Sequence, residues 1–462
     1  MVVRRVHEQG MTLVELMVTM VIASIVAAST FMFFAGQQRV YETQTKMLNV
    51  QQNAWAAMEV LTRFVRAAGS GMYGCVRPVG GIVVAPPLTR TPAATVDDSD
   101  DPPVAPPNTV HNLSVRPSAG LRAYNAATGQ MQRIPPLWIV DQEDGTDTGI
   151  VAGTDVITVA FGNKTSGTTF DSPLAGIGVV SVASNVTIPL PSGNAAMFQP
   201  NEFIVLVGEP GMGGNASDIG CTLLQVTSSS ASDPNNNFLV HAQNSWNPAS
   251  NIPAMIPGTT GYGAFAPDQN LNTGVRNFGE FWWVRFAIRT KDANGNYLSN
   301  PGKCVSTGGS THDIPVLTME RLDGTAATTG PQVLAEGIED LQVAFACDLD
   351  ANGRLIATND QNTDEWKLDP NDTTIMLTRG AKCNQPSAIR LTLLARSLTE
   401  DNGINASLTD NGRPAVENHA AHAQNPYPAC TDDLNDPNWN SSNFQDQFRR
   451  RVLTTTVYPR NN

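Results

Sequence analysis

Residues 11–36 read MTLVELMVTMVIASIVAASTFMFFAG, and from Met11 to Ala35 the only ionisable side chain is Glu15. At about 1.5 Å rise per residue, a helix of this length covers the roughly 30 Å hydrocarbon layer of a bilayer. The stretch therefore predicts a membrane-spanning helix near the amino terminus. Arg4 and Arg5 precede it and no basic cluster follows at once, so residues 1–10 are expected to stay cytoplasmic while the bulk of the chain is exported. Ala27-Ala28-Ser29 has the small residues of a secretory cleavage site, but the apolar run is too long for a signal core. A carboxylate at the depth of Glu15 costs roughly 2.5 to 3.5 kcal/mol to insert, and such an acid is by default paired and functional.

Beyond Gly36 the helical pattern continues as QQRVYETQTKMLNVQQNAWAAMEVLTRFVRAAG. Ala54, Met58, Leu61, Val65 and Ala68 recur at steps of three and four and predict an apolar stripe that docks on a sheet. Gly69 and Gly71 supply the stop. Residues 11–68 contain no proline, so a single helix is expected, lipid-embedded over 11–36 and amphipathic over 37–70.

Two resemblances enter on these residues. Gly10-Met11-Thr12-Leu13-Val14-Glu15 resembles the leader junction of type IV prepilins and pseudopilins. That resemblance implies cleavage after Gly10 by a prepilin peptidase, N-methylation of Met11 and an assembly role for Glu15. The family's usual first mature residue is Phe, and here it is Met11. The implied role has a physical basis, because a charged amine in a low-dielectric site needs a counter-ion and a neighbouring subunit's acid supplies one. LTRFVRAAGSGMYGC, residues 61–75, is similar to the segment of PilW-type minor pilins in which an Arg-x-Ala-Gly helix end is followed by Gly-Cys. The later pieces VLTMERL, EGIEDLQVAFACDLDANG, AIRLTLLARS and RVLTTTVYPRNN follow the same family's order to the terminal Arg-Asn.

The chain has 462 residues, enough for about three domains or one large β-rich unit with insertions. Residues 71–137, rich in Pro and Asp over 76–110, read as a partly disordered loop. Strands are expected at 137–142, 154–162, 185–190, 201–208, 221–227 and 238–243, making 138–275 a β-rich subdomain. FWWVRFAIRT and NYLS flank the turn Asp292-Ala293-Asn294-Gly295 and open a carboxy-terminal sheet domain, 276–462. By alternation Trp282, Val284 and Phe286 share a core face, leaving Trp283 as a candidate contact for a neighbouring subunit if exposed. The expected class is α+β, a lollipop: one long amino-terminal helix, its first half transmembrane, packed on an antiparallel β-sheet head that carries a large β-rich insertion.

Cys75, Cys221, Cys304, Cys347, Cys383 and Cys430 all fall on the exported side, where disulfides form, with too many connectivities for sequence to choose among. Asp348, Asp350 and Asn352 open a D-x-D-x-N-G pattern of calcium loops, but Asn359 stands where a bidentate Glu belongs, so a turn is the preferred reading and calcium the minor one. His419 and His422, with Cys430 and Asp432 nearby, lack a zinc-type spacing. No nucleophile elbow, phosphate loop or dinucleotide fingerprint is present, so no catalytic residue is assigned and no cofactor expected. A net charge of −13 without a basic patch argues against nucleic acid as partner.

The resemblance implies a minor pilin of the type IV pilus, in the priming or tip complex and supporting adhesion or twitching motility. Its implied partners are the other minor pilins, the major pilin, a PilY-type tip adhesin, the prepilin peptidase and the inner-membrane assembly platform with its ATPase. The implied path is from the inner membrane to the extracellular pilus. The alternatives are a J-type minor pseudopilin of type II secretion, and a membrane-anchored extracytoplasmic enzyme or binding module.

Overall fold

The computed structural model describes residues 12–71, 120–125, 130–134, 137–141, 149–151, 154–164, 187–189, 198–208, 220–229, 238–247, 274–292, 294–298, 314–322, 330–346, 366–367, 388–398 and 450–458. Helix α1 runs over Leu13–Ala67 without a break. None of its residues 13–49 is buried, whereas Val50, Ala54, Ala57, Met58, Leu61, Thr62 and Val65 are. The predicted stripe is thus the docked face, extended one turn towards the amino terminus. The helix stops because Gly69 (φ 77°) and Gly71 (φ 83°) turn the chain, and its exit is stitched to a strand: Gly69 N–H donates to Ala160 O at 3.0 Å and Gly162 N–H to Ser70 O at 2.9 Å.

Two sheets receive the docked half. In the first, β3 (Leu137–Asp141), β4 (Asp155–Gly162), β11 (Phe281–Lys291), β12 (Ile314–Arg321) and β13 (Gln332–Glu336) lie in the order β13-β12-β11-β4-β3. In the second, β14 (Ile338–Ala346), β15 (Trp366–Lys367), β16 (Ala388–Arg396) and β17 (Arg450–Val457) lie in the order β15-β14-β16-β17. All pairs in both are antiparallel. Leu61 and Val65 share one core with Ile157, Val159, Val284 and Phe286 of the first sheet and Leu341, Val343, Leu391 and Leu393 of the second. Phe64 closes its edge with rings of Phe161 at 5.7 Å, Trp282 at 6.1 Å and Phe286 at 5.2 Å, and the Arg321 guanidinium lies 4.2 Å over Trp282.

A further sheet stacks on the other face of the first. It holds β1 (Gly120–Asn125), β2 (Gln130–Ile134), β6 (Phe203–Gly208), β7 (Gly220–Gln225) and β10 (Gly274–Gly279) in the order β10-β6-β7-β1-β2, with β1 and β7 parallel and the other pairs antiparallel. Leu121, Phe203, Val205 and Leu223 pack there against Ala160, Phe281 and Trp283. The short strands β5 (Thr187–Pro189), β8 (Ser228–Ser229) and β9 (Phe238–Val240) form a small separate sheet. The α+β lollipop is therefore present, with its head thickened by an extra layer.

That layer corrects the expectation for Trp283. It is 4% exposed, because β11 has apolar cover on both faces: Trp282, Val284 and Phe286 face the helix and Phe281 and Trp283 face the added sheet. The strand pairing also crosses the division expected at 275/276. β3 and β4 lie before it yet join β11, and β10 straddles it yet joins β6. Strands β1 and β2 fall inside the stretch expected as loop. The expected turn after β11 is present: Asp292 Oδ1 accepts the N–H groups of Asn294 and Asn296 at 2.8 Å each, and Gly295 has φ 83°. Those bonds, the one from Asn296 foremost, hold the Asp292 carboxyl below the ordinary range.

A buried carboxylate ties the two helix-bearing sheets together. Asp155 of β4 accepts the Val343 N–H of β14 at 2.6 Å, with Asp155 fully buried. Asp155→Ala leaves a buried N–H without that acceptor and is expected to cost about 1 to 3 kcal/mol, read as a lower urea midpoint of the full-length chain in detergent. Asp155→Asn keeps an acceptor and is expected to lose less.

His241, just after β9, is 3% exposed, and among the described residues neither ring nitrogen has a hydrogen-bond partner. Burial pushes its pKa down to about 4 from 6.5. The unfolded chain then binds a proton that the folded one refuses, so stability falls as pH drops from about 6.5 to about 4 and is unaffected by this group above that window. The expected loss is about 3 kcal/mol. Urea midpoints taken across the window should fall more steeply for the natural chain than for His241→Leu.

Candidate functional site

The bare half of α1 carries the site. Thr12 is its N-cap, with φ −73° and ψ 151°, and Glu15 stands at the third helical position. The Glu15 carboxylate reaches back: Oε2 accepts the Thr12 N–H at 2.9 Å and the Thr12 hydroxyl at 2.9 Å, while Thr12 Oγ1 accepts the Glu15 N–H at 3.3 Å. This is a reciprocal capping box, which satisfies helix-end donors that a bilayer leaves unpaired. Its signal, Thr-x-x-Glu ahead of an apolar run, is present in the sequence, so Glu15 has a capping role besides the counter-charge expected of it.

One carboxylate oxygen carries both contacts to Thr12, and the side chain remains exposed. The group can therefore cap its own helix and still meet an approaching cation. The hydroxyls of the span are also satisfied within the helix. Thr19 donates to Leu16 O at 2.9 Å, Ser24 to Met20 O at 2.7 Å, Ser29 to Ile25 O at 2.9 Å and Thr30 to Val26 O at 2.8 Å. The segment is apolar and long enough to cross a membrane, and its hydroxyls from Thr19 to Thr30 all donate within the helix.

Of the other residues singled out from sequence, Gly10 and Met11 lie outside the described residues. So do Cys75, Cys304, Cys347, Cys383 and Cys430, the candidate calcium residues Asp348, Asp350 and Asn352, and His419, His422 and Asp432. Cys221 lies on β7, where only its backbone is described. Among the described residues no group of three or more His, Cys, Asp or Glu is placed to hold a metal ion.

Comparison with known proteins gives two matches. Residues 304–461, about a third of the chain, match the family model of the Type IV Pilus-assembly protein W, and residues 5–31 match the Prokaryotic N-terminal methylation motif. The first covers β12 to β17 and the second covers Gly10, Met11, Glu15 and most of the apolar run. No curated protein and no solved structure matches the chain. The resemblance seen in the sequence is thereby found independently at both ends: a PilW-type carboxy-terminal region and a methylation signal on a membrane-capable helix, the marks of a pilin related to type IV pili.

Proposed function

We propose that this PilW-type pilin is a minor pilin of the priming or tip complex of a type IV pilus. It is inserted in the inner membrane with its leader in the cytoplasm, cut between Gly10 and Met11, methylated on Met11 and built into the fibre through its helix. The observation that carries the reading is the division of α1: its first half is bare and apolar with a single carboxylate at its first turn, and its second half is sunk into the head. A soluble domain gains nothing from such a naked rod, whereas a subunit that leaves a bilayer for a helical fibre exchanges lipid for neighbouring helices.

The tip, rather than the shaft, is favoured by the size of the head. The added sheet stacked on the far face of β4 and β11 thickens the head beyond one helix-bearing layer. Such bulk crowds the close repeat of a shaft but has room at an end. Other minor pilins and a tip adhesin are then its neighbours, and the pilin-type regions point to a structural rather than a catalytic role. The test is mass spectrometry of the amino terminus of the protein recovered from sheared surface fibres. The expected species begins at methylated Met11, and recovery of a chain that still begins at residue 1 overturns the reading.

A further inference from the structure

Lys164, Glu202 and Asn277 come together where the first helix-bearing sheet meets the added one. Lys164 stands just after β4, Glu202 just before β6, and Asn277 lies on β10. Lys164 Nζ donates to Glu202 Oε1, and Asn277 Nδ2 donates to Oε2 of the same carboxylate at 2.9 Å. The Gln199 N–H, 2.9 Å from Oε2, fixes that carboxylate in turn. On the far side of its amide, Asn277 Oδ1 accepts the Gly279 N–H at 2.8 Å. An amine and a side-chain amide thus hang from the two oxygens of one carboxylate.

The backbone brings them there. Asn163 N–H donates to Glu280 O at 3.1 Å and Lys164 N–H to Phe278 O at 3.4 Å, so the chain leaving β4 is laid along the end of β10. The register of β10 on β6 shifts between Asn277 and Gly279, and such a bulge re-aims a side chain, here Asn277 towards Glu202. Gly279 makes room for the lysine stem, since a Cβ there would sit 2.6 Å from Lys164 Cγ.

A surface ion pair needs only a lysine and a glutamate. Here the pair also holds a carboxamide whose oxygen is polarised by a backbone donor. Those are the three parts of an acyl transfer: a nucleophile, a proton carrier and an activated acyl carbon. Held on one carboxylate, amine and amide meet at an effective concentration that no free lysine reaches. The Glu202 side chain is 16% exposed and that of Lys164 40%. Cover over the carboxylate favours passing a proton within the pair, and the open side of the lysine lets a small product escape to water.

We propose that Lys164 and Asn277 form a self-modification site, joined by an amide bond from Lys164 Nζ to Asn277 Cγ, with Glu202 carrying the proton. Glu202 takes a proton from the Lys164 ammonium, and the free amine attacks Asn277 Cγ while the Gly279 N–H steadies the oxygen as it gains charge. Glu202 returns that proton to Nδ2, the Cγ–Nδ2 bond breaks and ammonia leaves. The new amide nitrogen sheds its extra proton to the ammonia. The products are a secondary amide, the regenerated carboxylate and one ammonium ion, with no change of oxidation state. The bond ties β4 of the helix-bearing layer to β10 of the added layer and closes a loop of about a hundred residues, which restricts the unfolded chain. It goes beyond the proposed function and does not depend on the place of the subunit in a fibre.

The test is mass spectrometry of the natural chain, intact and after proteolysis. The expected chain is lighter by one ammonia than its sequence and processing require, and proteolysis yields the Lys164 peptide joined to the Asn277 peptide. Lys164 and Asn277 recovered in separate, unmodified peptides overturn the bond. Lys164→Arg keeps a cation on Glu202 but offers no amine, so that variant is expected at full mass. An ammonia deficit that persists in Lys164→Arg assigns the loss to Asn277 alone and overturns the bond as well. Glu202→Gln keeps the size of the side chain without its charge and is expected to lower the yield of joined peptide about tenfold or more. A natural-level yield in that variant overturns the role of Glu202.

Discussion

Replacing Glu15 by Ala is expected to leave export and processing intact and to lower recovery of the protein in fibres by on the order of a hundredfold. The size follows from the cost of leaving a charge in a low-dielectric site without its partner, about 3 to 5 kcal/mol. The structure adds a complication, because the same carboxylate caps its own helix through Thr12, and the loss of a cap costs about 1 kcal/mol. Glu15→Gln separates the two roles. Its amide oxygen still accepts from the Thr12 N–H, as Gln does in capping boxes, but it carries no charge. If the acid pairs with the methylated amine of a neighbour, Gln fails nearly as badly as Ala in quantitative blots of sheared fibres. Recovery of the Gln variant at the natural level would assign Glu15 to the cap alone, and unchanged recovery of the Ala variant would remove it from assembly.

Gly337→Ala is expected to destabilise the head by about 3 kcal/mol, lowering the thermal midpoint of the full-length chain in detergent by ~3 °C. Gly337 is the one residue between β13 and β14, where the chain leaves the first helix-bearing sheet for the second. Its φ is 78°, and a Cβ there would sit 2.6 Å from the Arg396 carbonyl oxygen. That oxygen is fixed, because the Arg396 N–H donates to Gly337 O at 2.7 Å while Gly337 N–H donates to Pro315 O at 2.7 Å. Backbone cannot swing aside as a side chain does. Gly295→Ala is the control: its φ is 83° but nothing lies within 4 Å of the added carbon. It is expected to lose only the ~1 to 2 kcal/mol of the left-handed conformation. Equal losses at the two positions would mean that the Arg396 contact is not what makes Gly337 necessary.

Much of this was legible from one dimension. The length and purity of residues 11–35 make a helix able to cross a membrane whatever follows, and the three-and-four spacing of Ala54, Met58, Leu61 and Val65 dictates which side of the helix is docked. Strands β3, β4, β6, β7, β9 and β11 fall where β-branched runs between turn residues put them. β1, β2 and β10, with sequences GLRAYN, QMQRI and GVRNFG, carry almost no β-branched residues. They are strands because partners in a sheet complete their hydrogen bonds, which local propensity does not report.

The amino terminus was the most readable part because its physics is local. A bilayer acts on each helical residue by its own polarity, and a capping box closes within four residues, so Thr12, Glu15 and the span after them need no knowledge of the rest of the chain. The head is different, since the contacts that decide it join residues far apart. Trp283 looked like an outward-facing residue until the sheet of β6 and β7 was laid over it. Asp155 stands at the start of a strand with nothing in its neighbours to announce a partner, and β14 brings Val343 to it across 188 positions. Sequence alone therefore set the rod, its docked stripe and its methylation motif, while the tertiary structure alone set which faces of β11 are covered and how two sheets meet beneath one helix, because burial belongs to a layer and not to a residue.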